Sequence, residues 1–390
     1  MLPVNSPAFT YSSLASNDEA NQLGRILGQC FISPPSDSEK YFDRIGQENF
    51  RVLRANDSIA GGLALLPMGQ WWGGRRVPMT GIASVGIAPE YRGSGAAIAM
   101  MQHTITELYE QKVPLSVLYA AAQQLYRRAG YEQAGLTCGW EIDPEVIAMR
   151  DRPLTIYSIP LDADLLTKLY SQQAPVNSGN LDRHSAIWKE ILTADDQPIY
   201  AYSFGNEGYA IVTQQRSNGS ARLRILDWVL LTPAAGRTFW SFLADHRSMI
   251  DLVQWKSSAI DPLTLLLPEQ NFKPRFIERW MLRIVDAAAA LEMRGYPDHV
   301  AAELHLDLQD DLIEANCGRF CLTVAEGRAQ VTRGGSGALK LDIRGLAPLY
   351  TNLFTPMQLR AAGWLEGDDR TLTTAGQLFS GGSPWMLDFF

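Results

Sequence analysis

The stretch Gly81-Ile-Ala-Ser-Val-Gly-Ile-Ala-Pro-Glu-Tyr-Arg-Gly-Ser-Gly-Ala-Ala97 decides how this chain is read. Its first half is apolar and β-branched and ends at Pro89. A glycine-rich turn follows, and then Ile98, Met101, Ile105 and Leu108 fall on one face of a helix. A strand, a glycine turn and a helix in that order aim backbone N–H groups at an anion, because the first turn of a helix carries donors without partners. Arg92, Gly95 and Ala97 fit Arg-x-x-Gly-x-Gly/Ala, and Ser94 is placed to cap the helix. Taken alone, such a turn serves equally well as a tight connector that binds nothing.

The common alternatives for the anion do not fit. A Rossmann site needs an acidic residue about 20 residues past the glycines, whereas Glu107 and Glu110 are closer and lie on the helix itself. A P-loop needs Gly-Lys-Ser/Thr, which the turn lacks. The anion is read here as the pyrophosphate of coenzyme A; on that reading the protein moves acyl groups.

Composition narrows the field further. A formal net charge of −8 argues against nucleic acid as partner, since phosphate binding needs clustered Lys and Arg. No apolar run reaches the ~20 residues that span a bilayer. Met1–Tyr11 shows no basic region followed by an apolar one, so no secretory signal is read and a cytoplasmic location is expected. The 4 cysteines (Cys30, Cys138, Cys317, Cys321) are too few for a disulfide framework. Cys317 and Cys321 have only His305 as a nearby third ligand, so they read as structural thiols and no metal is expected. The 5 histidines show no metal or triad spacing.

At 390 residues the chain is long enough for two or three domains, and three segments can be separated. Residues 1–143 alternate helical and strand patterns around the glycine turn. Residues 144–273 echo them: Leu223–Thr232 is again a long apolar strand meeting a proline, Pro233, before a helix pattern. The glycine turn is not repeated there. Gly236 stands alone before Arg237-Thr238-Phe239, and bulky side chains at a helix start block close approach of a pyrophosphate. A duplicated fold whose second copy lost its cofactor site is the expectation. Residues 274–390 begin with a helical pattern over Arg283–Met293. Leu304-Leu306-Leu308 and Leu339-Leu341-Ile343 then alternate with polar residues, as antiparallel strands with one wet face do. The last residues, Pro384-Trp-Met-Leu-Asp-Phe-Phe390, are too apolar for a frayed end and read as docked in the protein.

Leu125-Tyr-Arg-Arg-Ala-Gly-Tyr131 follows a predicted strand at Ser116–Tyr119, as a helix closed by glycine. It resembles the element that places a tyrosine near the thioester sulfur in the GNAT superfamily of N-acetyltransferases. With Val77-Pro-Met-Thr-Gly81, Val85–Arg92 and the apolar tail, the whole chain resembles the Eis (enhanced intracellular survival) family. The resemblance implies an α/β protein of tandem GNAT acetyltransferase folds, the second degenerate, followed by a sterol-carrier-protein-like α+β domain. It also implies a hexamer, and acetyl-CoA as cosubstrate for acetylating amines of aminoglycoside- or polyamine-like acceptors.

Carried over by position, the family's proton donor falls on Tyr126 and its proton acceptor on the carboxylate of Phe390. The acetyl-CoA contacts fall on Val85, Gly86 and Ile87, on Arg92, Gly93, Ser94, Gly95, Ala96, Ala97 and Ile98, and on Ala121 and Ala122. The turn departs from the family in carrying Arg92 as its only basic residue, and Ala121 stands where relatives often have a hydroxyl. The implied mechanism is direct attack of a neutral amine, with an N–H of the Val85–Ile87 strand steadying the oxyanion. Trp71 and Trp72 are candidates to line the acceptor pocket, and Asp388 to attract a cationic amine. Two other functions stay open at this point: acetylation of protein lysines, and non-enzymatic binding of an apolar ligand by the sterol-carrier-like domain.

Overall fold

Hairpins and strand–helix–strand crossovers build one sheet of 13 strands across most of the chain. The computed structural model describes residues 8–193, 197–217 and 219–390. Most of the Met1–Tyr11 stretch read for a leader lies outside the described residues.

The first copy of the fold comprises β1 (Phe9–Ser13), α1 (Asn17–Phe31), α2 (Pro35–Ile45), β2 (Phe50–Ala55), β3 (Ser58–Trp72), β4 (Arg75–Ile87), α3 (Ala96–Glu110), β5 (Leu115–Tyr119), α4 (Gln123–Arg128) and β6 (Glu132–Ile142). Ser16 caps α1 by accepting from the Glu19 N–H, and Asp18 and Glu19 sit in the first turn, where the helix dipole favours negative charge. The second copy comprises β7 (Ile156–Ile159), α5 (Ala163–Gln173), β8 (Leu181–Asp182), α6 (Ser185–Thr193), β9 (Ile199–Phe204), β10 (Gly208–Ser217), β11 (Ser220–Leu230), α7 (Pro233–Ala244), β12 (Leu252–Ser257) and β13 (Lys273–Ile284).

Each copy runs three strands antiparallel and then crosses through a helix to a parallel neighbour, β4 to β5 and β11 to β12. The two copies are interleaved. The strand order through the centre is β4-β5-β13-β6-β12-β11, so each copy's last strand sits inside the other. The strand β13 begins where the sequence reading opens the third segment, yet it pairs antiparallel with β5 and β6 in the large sheet. Second-copy residues thereby reach the first copy's interior.

The remainder folds around a separate sheet. It comprises α8 (Ala287–Met293), β14 (Ala302–Gln309), β15 (Gly318–Ala325), β16 (Arg328–Arg333), β17 (Leu339–Asp342), α9 (Ile343–Thr351), α10 (Pro356–Ala361), β18 (Leu365–Glu366) and α11 (Asp369–Leu378), with strand order β16-β15-β14-β17-β18. The helical pattern read from Arg283 starts at Ala287, because Arg283 and Ile284 complete β13 and the Asp286 side chain caps α8. Leu304, Leu306 and Leu308 face the core, as their alternation predicts.

One buried ion pair ties this domain to the large sheet. Arg283 on β13 donates to Asp310 Oδ1 and Oδ2 at 2.8 and 2.7 Å, and Asn316 donates to the same carboxylate at 2.8 Å. Removing one partner strands a buried charge. Asp310→Ala is therefore expected to lower the unfolding free energy by about 3–5 kcal/mol, read from urea melts.

Candidate active site

The site begins where two strands part. The parallel strands β4 and β5 pair over three positions only, Met79↔Leu115, Thr80↔Ser116 and Gly81↔Val117. Beyond Gly81 the released edge of β4 faces a cavity of about 410 Å³ lined by Ile82, Ala83, Ser84 and Val85. Leu118, Tyr119, Ala120 and Ala121 form the opposite wall, and Tyr126 and Phe390 line the same cavity. Ser84 marks the divergence. Its backbone is left-handed (φ 51°), and the β3–β4 register shifts beside it, between Gly62 and Ala64. A bulge of this kind bends a strand and re-aims its side chains. The Ser84 hydroxyl lies 2.5 Å from the Tyr41 hydroxyl, which joins the bulge to α2.

The glycine turn lies at the end of β4. Gly93 and Gly95 have φ of 79° and 91°, which side-chain-bearing residues rarely adopt, and the space beside both is open. Gly95, not Ser94, is the N-cap of α3, and no side chain caps that helix. Ser94 precedes the cap and donates its hydroxyl to the Tyr91 carbonyl at 2.6 Å, closing the turn before it. Arg92 braces the turn, its Nε donating to the Ile87 carbonyl at 3.3 Å. The first-turn N–H groups of α3 are thus left for an external acceptor, the arrangement a pyrophosphate needs.

The second copy is filled at the equivalent place. Thr232 caps α7 by accepting from the Ala235 N–H at 3.1 Å, and its hydroxyl is held by the Glu207 carboxylate. Gly236 serves packing: a Cβ there would come 2.7 Å from Leu266 Cδ1. A helix start occupied by its own threonine, with a carboxylate behind it, repels a pyrophosphate.

Tyr126 is buried on α4, edge-on to Tyr131 with ring centroids 6.2 Å apart. Burial pushes its phenol up to about 12, so the hydroxyl keeps its proton at neutral pH.

The apolar tail is docked. Leu136 N donates to the Pro384 carbonyl at 3.0 Å, Trp385 N to Ser178 at 3.0 Å and Thr137 Oγ1 to Met386 at 2.8 Å. The Tyr119 hydroxyl donates to the Asp388 carbonyl at 3.0 Å, and the Tyr119 ring lies 4.5 Å from that of Phe389. The Phe390 ring rests on Gly81, where an added Cβ would meet it at 2.6 Å. Gly81→Ala should therefore displace Phe390 from the point where the strands part. Steady-state kinetics is expected to show kcat falling roughly 10-fold or more with acetyl-CoA affinity unchanged.

Other sequence candidates lie elsewhere. Neighbouring residues on a strand point to opposite faces, so Trp71 and Trp72 do not share a pocket. Trp72 is buried against Trp280 and Tyr350, and Trp71 packs on the second copy's core; neither lines the cavity. Asp388 does not line this cavity but a neighbouring one of about 210 Å³. Its side chain is buried 3.0 Å from Arg183. Gly86, Ile87 and Ala122 stand beside the cavity-lining residues without lining it. Cys317 bonds with the Asp310 backbone, away from Cys321. Cys321 groups with Glu303 and His305 instead. There the Ser336 N–H donates to His305 Nδ1 at 2.7 Å, and His305 Nε2 faces Glu303.

Sequence reading missed Phe31, Tyr41, Arg44, Glu190 and Glu278, all of which line the cavity. Arg44 and Glu190 pair across it at 3.3 Å, and Glu278 arrives on the interleaved strand β13. A neighbouring cavity of about 840 Å³ between α1 and α2 shares Phe31, Tyr41, Arg44 and Ser84 with it.

A parallel strand pair parting around a cavity, an uncapped helix start following the first of those strands and a buried tyrosine lining the cavity define an acetyltransferase of the GNAT class. Residues 12–134 and 179–284 each match an acetyltransferase (GNAT) domain family, and residues 287–387 match the sterol carrier protein domain family. The chain is 54% identical to a GCN5-related N-acetyltransferase from Anabaena variabilis whose crystal structure superposes with TM-score 0.97 over 98% of this chain and 100% of that one. A GCN5-related N-acetyltransferase structure from Kribbella flavida is 27% identical, with TM-score 0.86 and 99% of each chain covered. The N-acetyltransferase Eis of Mycobacterium tuberculosis is 26% identical over 318 residues, 76% of each chain. The chain belongs to the Eis family of GCN5-related N-acetyltransferases, and it is an N-acetyltransferase with two GNAT folds and a C-terminal sterol-carrier-like domain. Its GNAT folds imply the use of acetyl-CoA, and the open, uncapped turn at Gly93–Ala97 fits that molecule's pyrophosphate.

Proposed function

We propose that the chain transfers acetyl groups to amines of a small polycationic acceptor, aminoglycoside- or polyamine-like, at one site in the first copy. The observation that carries this reading is that Tyr126 and Phe390, far apart in the chain, line one cavity at the parting of β4 and β5. Acetyl-CoA supplies an activated thioester. The turn at Arg92–Ile98 binds its phosphates, and the Val85–Ile87 backbone and Ala121–Ala122 flank its arm. Tyr126 donates a proton to the departing sulfur. The Phe390 carboxylate, through a water, takes the proton from the attacking amine. Among the charged groups on the wall, Arg44 pairs with Glu190 and leaves the carboxylate of Glu278 to favour a cationic acceptor.

The same reading places the enzyme in the cytoplasm as a hexamer. Among the described residues, no helix is long and apolar enough to cross a membrane. The apolar-carrier alternative is disfavoured by the third domain's cavity of about 650 Å³, which is lined by Asp307, Lys340, Asp342, Arg344 and Glu366. Thiol release from acetyl-CoA, followed with aminoglycosides, polyamines and lysine peptides in parallel, tests the proposal. Turnover with the first two classes supports it; turnover with peptides alone, or with no amine at all, overturns it.

A further inference from the structure

The second copy holds a buried charge cluster that its lost cofactor site does not explain. Arg183, between β8 and α6, has a side chain 1% exposed. Its guanidinium carbon lies 3.8 Å from the Tyr170 ring centroid and 4.5 Å from that of Trp188. The guanidinium donates to both oxygens of Asp227, on β11, at 2.9 and 2.8 Å. It also reaches Asp388 Oδ1 at 3.0 Å. The Tyr209 hydroxyl donates to Asp227 as well, at 2.7 Å. Asp227 is thus satisfied without Asp388, whereas Asp388 Oδ2 is buried with no protein partner.

One guanidinium between two buried carboxylates is a poor stabiliser, because desolvation outweighs much of the attraction. Its location suggests another use. Asp388 immediately precedes Phe389 and Phe390, which line the cavity. Among the described residues, the hydrogen bonds that hold the tail end at Asp388. Past this point only the packing of two aromatic rings fixes the chain.

We propose that Arg183 and Asp388 are a positioning pair: the degenerate copy lends a buried guanidinium to the tail and so sets where Phe390 stands in the first copy's cavity. The pair touches neither acetyl group nor amine. This proposal rests on the reading that Phe390 acts in that cavity. It also gives the second copy a task in catalysis after the loss of its own anion site.

Two substitutions at Asp388 separate geometry from charge and from folding. Asp388→Ala removes the acceptor yet leaves Arg183 balanced one-to-one by Asp227, so the melting temperature should hold or rise. Its kcat should fall roughly 10- to 100-fold, while calorimetry with coenzyme A shows an unchanged Kd. Asp388→Asn keeps an oxygen for Arg183 and should retain turnover within roughly 3-fold of the parent, since the terminus stays in place. Arg183→Lys, which loses the planar fork, should resemble Asp388→Ala in kcat.

Three results would overturn the pairing. One is full turnover in Asp388→Ala. Another is equal loss in the Asn and Ala variants with a raised KM for the amine, which would make Asp388 a charge that attracts substrate. The third is a joint fall of melting temperature, coenzyme A affinity and kcat, which would make the cluster a packing element only. A chain extended beyond Phe390 distinguishes the two levels of the argument. If extension suppresses turnover and Asp388→Ala does not, the positioning pair fails alone. If extension has no effect, the role of Phe390 fails first.

Discussion

Adding residues after Phe390 is expected to lower kcat at least about 10²-fold while leaving coenzyme A affinity unchanged. An amine acceptor with a pKa near ~10 is mostly protonated at neutral pH, so a group in the cavity must take a proton before or during attack. The proposed acceptor is a backbone carboxylate, and extension turns it into an uncharged amide. Extension also forces new chain past a wall built from Phe389, Phe390 and Tyr119, where the Phe390 ring rests on Gly81. A free terminal carboxylate has a pKa of only ~3.5, below the ideal for a base at neutral pH, so the proposed role requires the cavity to favour its protonated form. Thiol-release kinetics on extended and unextended chains, with coenzyme A binding measured alongside, checks this. Equal turnover would remove Phe390 from the chemistry.

Tyr126→Phe is the second large effect. It should lower kcat by about 10²-fold, the low end of general-acid contributions, because a thiol of pKa ~8.5 is already a fair leaving group. Coenzyme A binding should not change, since Tyr126 lies on α4, outside the turn proposed to hold the phosphates. The pH dependence has a definite sign. Burial raises the Tyr126 phenol to about 12, so the donor form is fully present at neutral pH and is lost only as pH climbs toward that value. No descending limb belonging to Tyr126 should appear in kcat between about pH 7 and 10. A limb near pH 8–9 that vanishes in Tyr126→Phe would contradict this, as would an unchanged kcat in the variant.

The parts of the site written in adjacent residues were legible in the sequence. Strand, paired glycines and helix sit together in residues 81–110, and the different helix start of the second copy, capped by Thr232, showed in the missing glycines around Gly236. The tail's docking followed from its aromatic content. Ser94 was misread as a cap because Gly95, free to adopt positive φ, takes the cap position itself. The centre of the sheet left no local trace. In β13, Lys273 to Arg279 are exposed or half-buried and only Trp280–Ile284 are buried, so neither alternation nor a continuous apolar run marks the strand. Its insertion between β5 and β6 is a pairing across the two copies that no short window reveals. For the same reason Glu190 and Glu278 went unread: each is ordinary in its own stretch and reaches the first copy's cavity from second-copy elements, while Tyr41 is one aromatic on the helix α2. Trp71-Trp72 shows the converse. An aromatic pair attracts notice in sequence, but the period of two in a strand sends its members to opposite faces.

One cofactor site, in the first copy only, is the claim on which the rest depends. Isothermal titration of coenzyme A into the full chain tests it most directly, alongside a Gly95→Glu variant that sets a carboxylate at the start of α3. One coenzyme A per chain is expected, and no detectable binding in the variant. Two per chain, or binding that survives Gly95→Glu, would contradict it.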